Sequence, residues 1–294
     1  MDPNGYIRRL LIEAGAVAYG ITPAEPVSEE EWLRFEKWIS CGYHAGMKYM
    51  ENYPEIRRDP RLLLEGAVTI ISLAYNYRQP NPQSKRIATY ALGQDYHKVI
   101  RKRLKRVVSQ MKECFGGAWR ICIDSAPILE RYWAQKTGMG TRSDRHGNII
   151  IPGVGSMVFL AELVTTLELK PQHAVLVETS LSKDSPGNKV SECRKRGCPT
   201  GALLDSGVVD ARKCINYLTI EHGGPLSEGE KSLVGDAFFG CDRCLRVAEE
   251  NKRETLVGVI DEFRPLTGLW EFINGEKGDF DLKRSPIARK KIFL

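Results

Sequence analysis

Ala67-Val68-Thr69-Ile70-Ile71-Ser72-Leu73-Ala74-Tyr75 is almost wholly apolar and rich in β-branched side chains. Such a run, lacking the alternation of a half-exposed strand, predicts a central strand covered on both faces. Upstream, residues 5–15 read as an amphipathic helix with Asp2 or Asn4 as N-cap, and Ser28 followed by Glu31 gives a capping-box signal for a helix near 29–39. Downstream, Ile100, Leu104, Val107, Val108 and Met111 share one face of a helix over 95–114, leaving Arg101, Lys102, Arg103, Lys105 and Arg106 on or beside the other. Trp119 to Ile123 reads as a strand that stops at Asp124, after which Pro127 opens a helix through Ile128, Leu129 and Trp133. A polar loop with glycines covers 138–148, Ile149 to Ile151 is strand-like, and Phe159 to Leu167 is expected to be helical. This alternation indicates an α/β layer for roughly residues 1–170. Ser182 to Ser191, rich in Ser, Lys, Gly and Pro, reads as a linker. Beyond it a cysteine-bearing module runs to about residue 265, and the tail, with Ser285-Pro286-Ile287, ends in Arg289, Lys290 and Lys291.

The chemistry is written in the cysteines. Cys198 opens the phrase Cys198-Pro199-Thr200-Gly201-Ala202, Cys214 follows after fifteen residues, Cys241 after twenty-six more, and Cys244 after two. In the bacterial run C-x2-C-x2-C-x3-C-P, three thiolates hold one iron–sulfur cluster and the cysteine before proline crosses to the other. Cys198-Pro199 matches that fourth position, but the three upstream positions are Asn188, Ser191 and Arg194. In the second half the slot after Cys241 and Cys244 is Ala248, followed by Glu249. All four missing ligands belong to one cluster, and the four survivors form a complete set for the other. Cysteine suits zinc as well, though a zinc ribbon would show two C-x2-C knuckles; a [4Fe–4S] site is the favoured reading, with structural zinc and unligated thiols as the alternatives. Cys193 stands one residue off the register of 194. Cys41, Cys114 and Cys122, in apolar or helical surroundings, read as small buried hydrophobes without chemistry.

At 294 residues with 42% hydrophobic content, the chain can bury a large core and a smaller one. The apolar run at its start is too short for a secretion signal, and no stretch approaches the roughly 18 apolar residues of a membrane span. Thiols spaced for metal rather than disulfides point to a reducing cytoplasm. A net charge of +6 is only a mild lean toward anionic partners, so its clustering on one helix says more than its size.

Nine stretches resemble, in order, those of epoxyqueuosine reductases, the cobalamin-dependent iron–sulfur enzymes that finish queuosine in tRNA. They are GYHAGMKYM at 42–50, Arg58 with Asp59-Pro60, ISLAYNY at 71–77, YALGQDYHKVIRKRL at 90–104, DSAPILE at 124–130, CPTGAL at 198–203, DARKCINYLTIE at 210–221, FGCDRC at 239–244 and SPI at 285–287. The resemblance implies an α/β (α+β) fold: a nitroreductase-like cobalamin-binding catalytic domain at 1–175, a ferredoxin-like 4Fe–4S domain at 176–265 and a tail at 266–294. It implies the tRNA anticodon loop as substrate and electrons from an external low-potential donor; a monomer is expected.

By the same resemblance Asp124 is the proton donor, a role that suits a carboxyl at a strand's C-terminal end if desolvation raises its pKa; the alternative is that Asp124 caps the helix after Pro127. Arg58, Asp95, Tyr96, His97, Ser125, Gly140, Arg142 and Ser156 are the candidate cobalamin contacts, and Cys198, Cys214, Cys241 and Cys244 hold one cluster where the family holds two. Arg101, Lys102, Arg103, Lys105, Arg106 and Arg289 are candidate phosphate contacts, and Tyr43 and His44 candidates to stack on an extruded base or to serve the core. Where the family reads G-x-G-W-x-G-K, this chain has Gly138-Met139-Gly140-Thr141-Arg142-Ser143-Asp144, with Arg142 and Arg145 as possible substitutes for the absent lysine. That departure, with the missing cluster, leaves two further readings: a tRNA-binding or redox-sensing relative that keeps a structural cluster, and a cobalamin enzyme for another substrate, such as reductive dehalogenases.

Overall fold

The computed structural model describes residues 2–79, 86–176, 197–204, 207–251, 258–276 and 280–289. The expected linker at 182–191, Cys193, positions 188, 191 and 194, and Lys290 and Lys291 lie outside them.

The apolar run becomes strand β2 (Thr69–Asn76), all eight residues of which are buried. It is the middle of a five-stranded sheet that also contains β1 (Ala18–Pro23), β3 (Trp119–Cys122), β6 (Val158–Thr165) and β7 (Gln172–Leu176), in the order β3-β6-β2-β1-β7. A separate two-residue pair, β4 (Thr141–Arg142) and β5 (Ile149–Ile150), forms a small hairpin. Helices α1 (Pro3–Glu13) and α4 (Tyr96–Phe115) cover one sheet face, where Ile7, Leu11, Ile100 and Leu104 pack with Ile71, Leu73 and Tyr75. On the opposite face α5 (Glu130–Lys136) sets Trp133 against Ile70, Cys122 and Val164. Eight of eight buried residues in β2 thus reflect cover from both sides, as its composition predicts.

Four expectations need correction. Phe159 to Leu167 is not helical: Val158–Thr165 is a strand hydrogen-bonded to β2 on one side and β3 on the other. A short apolar run carries no decisive period when both faces are buried, and the β-branched Val164 and Thr165 favour the strand. Every pairing in the large sheet is antiparallel, so the layer is α+β rather than a repeated βαβ unit. Pro127 does not open a helix; residues 124–129 make tight turns and α5 begins at Glu130. Cys41 and Cys114 are exposed, and only Cys122 among those three is buried.

The caps show the local chemistry. Asp2, not Asn4, caps α1, accepting the N–H groups of Asn4 and Gly5. Ser28 caps α2 (Glu29–Ser40), which the short α3 (Pro54–Arg58) follows, by accepting from Glu31 N–H, but the capping box stays open, because Glu31 is drawn to Arg142 instead. Short helices at Ile215–Ile220, Glu228–Val234 and Arg243–Arg246 carry the cysteine module. It packs onto the first half: Phe239 bridges to Ile87, and Leu269, Ile273 and Ile287 share a buried cluster with Ile87, Ala91 and Leu92. Arg103 on α4 makes two 2.8 Å bonds to Glu262. No described helix is long and apolar enough to cross a membrane.

Candidate active site

Residues 31–38 of the helix after Ser28, the turn at 124–129 with α5, and the cysteine module line a cavity of about 970 Å³, at the upper end of ligand-pocket sizes. Asp124, Cys198, Cys214, Cys241 and Cys244 all line it. Residues separated by up to 120 positions in the chain therefore face one space.

Asp124 follows β3 by two residues and adopts a left-handed backbone, φ 53°, a conformation that Asp tolerates better than most side chains but which still carries strain. Its backbone N–H donates to Glu130 Oε1 at 2.6 Å, and its carboxylate Oδ2 lies 2.8 Å from His97 Nε2. His97 Nδ1 in turn lies 2.9 Å from Oδ1 of Asp95, which is only 2% exposed and also caps α4. The Tyr96 ring lies against Phe159 (4.1 Å between centroids, 8° between planes) and 3.9 Å from the His97 ring, which fixes the imidazole. Asp124 caps no helix, since Leu129 precedes α5 without a side-chain cap.

The desolvation expected for Asp124 falls on its neighbour. The Asp124 side chain is 58% exposed, whereas Glu130 is half-buried in the cavity wall, where burial, with the Asp124 charge adding to it, pushes its carboxyl up to about 8. Arg131, also on the cavity wall, keeps an exposed surface although protein crowds round its guanidinium. Burial likewise disfavours the Arg131 charge, Arg142 adds to this, and among the described residues no carboxylate pairs with it. Behind them Glu162, in the middle of β6, is fully buried and its carboxyl is raised well above the usual range, first by burial and then by Glu130; it accepts from Ser72 Oγ, while its second oxygen has no partner among the described residues. Sequence reading missed Glu130 and Arg131 although Glu130 closes the DSAPILE phrase; only the turn at 124–129 brings it back beneath Asp124.

The four thiols act on one another. Burial pushes the Cys244 thiol up to about 12, with Cys241, Cys198 and Cys214 adding to the effect. Cys214 and Cys241 are also raised, chiefly by burial. Cys198 goes the other way: burial opposes it, but the Thr200 hydroxyl and the backbone N–H groups of Thr200, Leu203 and Ala202 hold it below the usual thiol range. Four thiols crowded round one space resist ionising together, and would do so readily only with positive charge among them, such as the iron of a cluster would supply. Among the described residues, no three His, Cys, Asp or Glu side chains converge closely enough to share a single metal ion.

The other candidate contacts divide. Ser125 and Arg142 line the cavity, but Arg142 is engaged by Glu31 through bonds of 2.6 and 3.1 Å. Arg58 does not line it and pairs with Glu29 at the surface; its neighbour Arg57, 7% exposed, lines it instead and donates to the carbonyls of Tyr49 and Asn52. Gly140 packs against the Ile150 carbonyl. Ser156 is buried in a network with His146, Glu250 and Asn251 that clips the β4–β5 hairpin onto the cysteine module. His44 is buried and bonded to Glu51, so it is not available to stack on a base, and Tyr43 lies under Arg212. Lys102, Lys105 and Arg106 are exposed on α4, Arg101 is half-buried, and Arg103 is taken by Glu262; Arg289 ends a short turn, its side chain outside the described residues.

Residues 57–125 match the family model described as epoxyqueuosine reductase QueG, DUF1730, and residues 191–251 match a 4Fe–4S double cluster binding domain. An epoxyqueuosine reductase of Cyclobacterium marinum is 37% identical over 90% of this chain and 85% of its own length. The chain belongs to the epoxyqueuosine reductase family. As in that family's members, the fold serves an oxidoreductase with an iron–sulfur domain. A crystal structure of an epoxyqueuosine reductase with an epoxyqueuosine-modified tRNA stem loop is 28% identical, with a TM-score of 0.76 over 90% of this chain and 68% of that one. The Bacillus subtilis family member, 28% identical with a TM-score of 0.74 over 90% and 68% of the two chains, has been seen with its catalytic aspartate loop swung out of the active site.

Proposed function

We propose that this chain reduces epoxyqueuosine to queuosine in the anticodon loop of tRNA, with cobalamin in the cavity and one [4Fe–4S] cluster on Cys198, Cys214, Cys241 and Cys244. The observation that carries this reading is that the acid and all four thiols line one cavity. The residues present fit both groups: the cavity has cofactor dimensions, and the thiols are held close enough to raise one another's pKa. When bound, the corrin and cluster supply low-potential reduction of the epoxide, with electrons arriving singly from an external donor.

The protein's own part is proton delivery and positioning. Asp124 gives a proton to the epoxide oxygen, and its strained turn lets the carboxyl reach into the cavity. Neutral Glu130 holds that turn without adding a second negative charge. Exposed Lys102, Lys105 and Arg106, joined by Arg101, form a phosphate track that starts roughly 6 Å along α4 from His97. A single cluster is supported by Ala248, buried where the other cage needs its fourth thiolate.

The test is anaerobic reconstitution with iron, sulfide and cobalamin, followed by turnover of an epoxyqueuosine stem loop. Expected are co-elution of cobalamin with a base-off spectrum, about four irons per chain, and queuosine as product. Cobalamin passing through unbound would favour a tRNA-binding relative with a structural cluster, and about eight irons or stoichiometric zinc would end the single-cluster assignment.

A further inference from the structure

Deoxygenating an epoxide to an alkene releases water and consumes two electrons and two protons, whereas one aspartic acid carries one proton. This inference rests on the function just proposed and asks where the second proton is kept. Both ring nitrogens of His97 face carboxylates: Nδ1 lies 2.9 Å from Asp95 and Nε2 lies 2.8 Å from Asp124. A neutral imidazole has one N–H and can donate to only one of them. With imidazolium at His97, Nδ1–H donates to Asp95 and Nε2–H to Asp124 Oδ2, which leaves Oδ1 of Asp124 able to carry a proton of its own. In that loaded state, with Asp95 anionic, His97 cationic and Asp124 neutral, the charges of these three groups sum to zero. Buried Asp95 cannot leave and Tyr96 packs the ring in place; of the other groups whose charge reaches Asp124, Glu130 on α5 is itself mostly neutral, Glu221 on the cavity wall is also raised, chiefly by burial, and burial keeps the Tyr49 hydroxyl protonated.

We propose that His97 returns a proton to Asp124 between the two transfers and that Asp95 positions the imidazole for this exchange. Asp124 Oδ1–H first protonates the epoxide oxygen as one C–O bond breaks, giving a hydroxyl. The Nε2 proton of His97 then passes to the Asp124 carboxylate. Asp124 delivers it to the hydroxyl, which leaves as water when the second C–O bond breaks. The two electrons come from the reduced low-potential donor named above. Asp95, neutral His97 and ionised Asp124 then carry two negative charges, which draws protons back from solvent across the exposed side of Asp124. His97 is thus a positioning and relay residue acting through Asp124.

Two measurements test this. The first needs no substrate: in 15N-histidine-labelled full chain at pH 7, His97 should show protons on both ring nitrogens, and Asp95→Asn should make the second proton leave at lower pH. A singly protonated His97 ring at pH 6–7 would overturn the proposal. The second is kinetic: His97→Gln, which can still hydrogen-bond but has no proton to give, should lower kcat by about 10²-fold with KM for the stem loop changed less than about threefold, and should lose the alkaline limb of the pH–rate profile. A His97→Gln variant with the parent's kcat and profile would equally overturn it. If the parent chain turned over no epoxyqueuosine, the functional reading would fail, while the ring-protonation result would still decide the relay.

Discussion

Glu130→Gln isolates the electrostatics of the cavity. Burial and the Asp124 charge raise this carboxyl from 4.5 to about 8, so between those values the folded chain holds a proton that the unfolded chain has released. Stability conferred by the neutral form is fully present below about pH 4.5 and is lost as the pH rises through about 8. Each pH unit in that window is worth about 1.4 kcal/mol, which sets a ceiling of about 5 kcal/mol over the three and a half units. Water entering the cavity and coupling to Asp124 reduce this, and we expect about 2–3 kcal/mol. Glutamine keeps an oxygen to accept the Asp124 N–H, so the turn should survive. Urea unfolding under anaerobic conditions at pH 5, 6.5 and 8 should show the parent losing that much stability relative to the variant. His97, Arg131 and Glu162 also face this group, but they are present in both proteins and drop out of the difference. Parallel pH dependences for parent and variant would refute the reasoning.

Four further outcomes follow from the geometry. Cys214→Ser should leave less than about one iron per chain after anaerobic purification, and full iron retention would show the ligand grouping to be wrong. Gly140→Ala would set a Cβ 2.3 Å from the Ile150 carbonyl oxygen, and should lower stability by about 1–3 kcal/mol in urea unfolding; a neutral result would mean that the β4–β5 hairpin yields freely. Arg103→Ala should destabilise the fold by about 1–2 kcal/mol through its lost bonds to Glu262 and leave the salt dependence of stem-loop binding unchanged. Lys105→Ala with Arg106→Ala should do the reverse, reducing the slope of log affinity against log salt by about 1–2; the opposite pattern would move the phosphate track off this face.

Much was legible in the linear chain. The apolar run at 67–75 marked the centre of the sheet, the spacing of Ile100, Leu104 and Val107 marked the buried side of α4, and four cysteines left over from a two-cluster pattern marked the iron–sulfur module. These features are written in composition and in intervals along the chain, because strand burial, helix period and ligand spacing are local properties. Phe159 to Leu167 was misread because burial on both faces erases the period that distinguishes strand from helix.

What only the tertiary structure decided is which groups share an environment. Arg57 rather than Arg58 faces the cavity, Arg142 is spent on Glu31, Arg103 on Glu262, and the desolvated acid is Glu130 while Asp124 stays half in solvent. None of these follows from residue type, since a pKa or an ion pair depends on dielectric and distance through space, and those are set when the turn at 124–129 folds back and the cysteine module closes over the sheet.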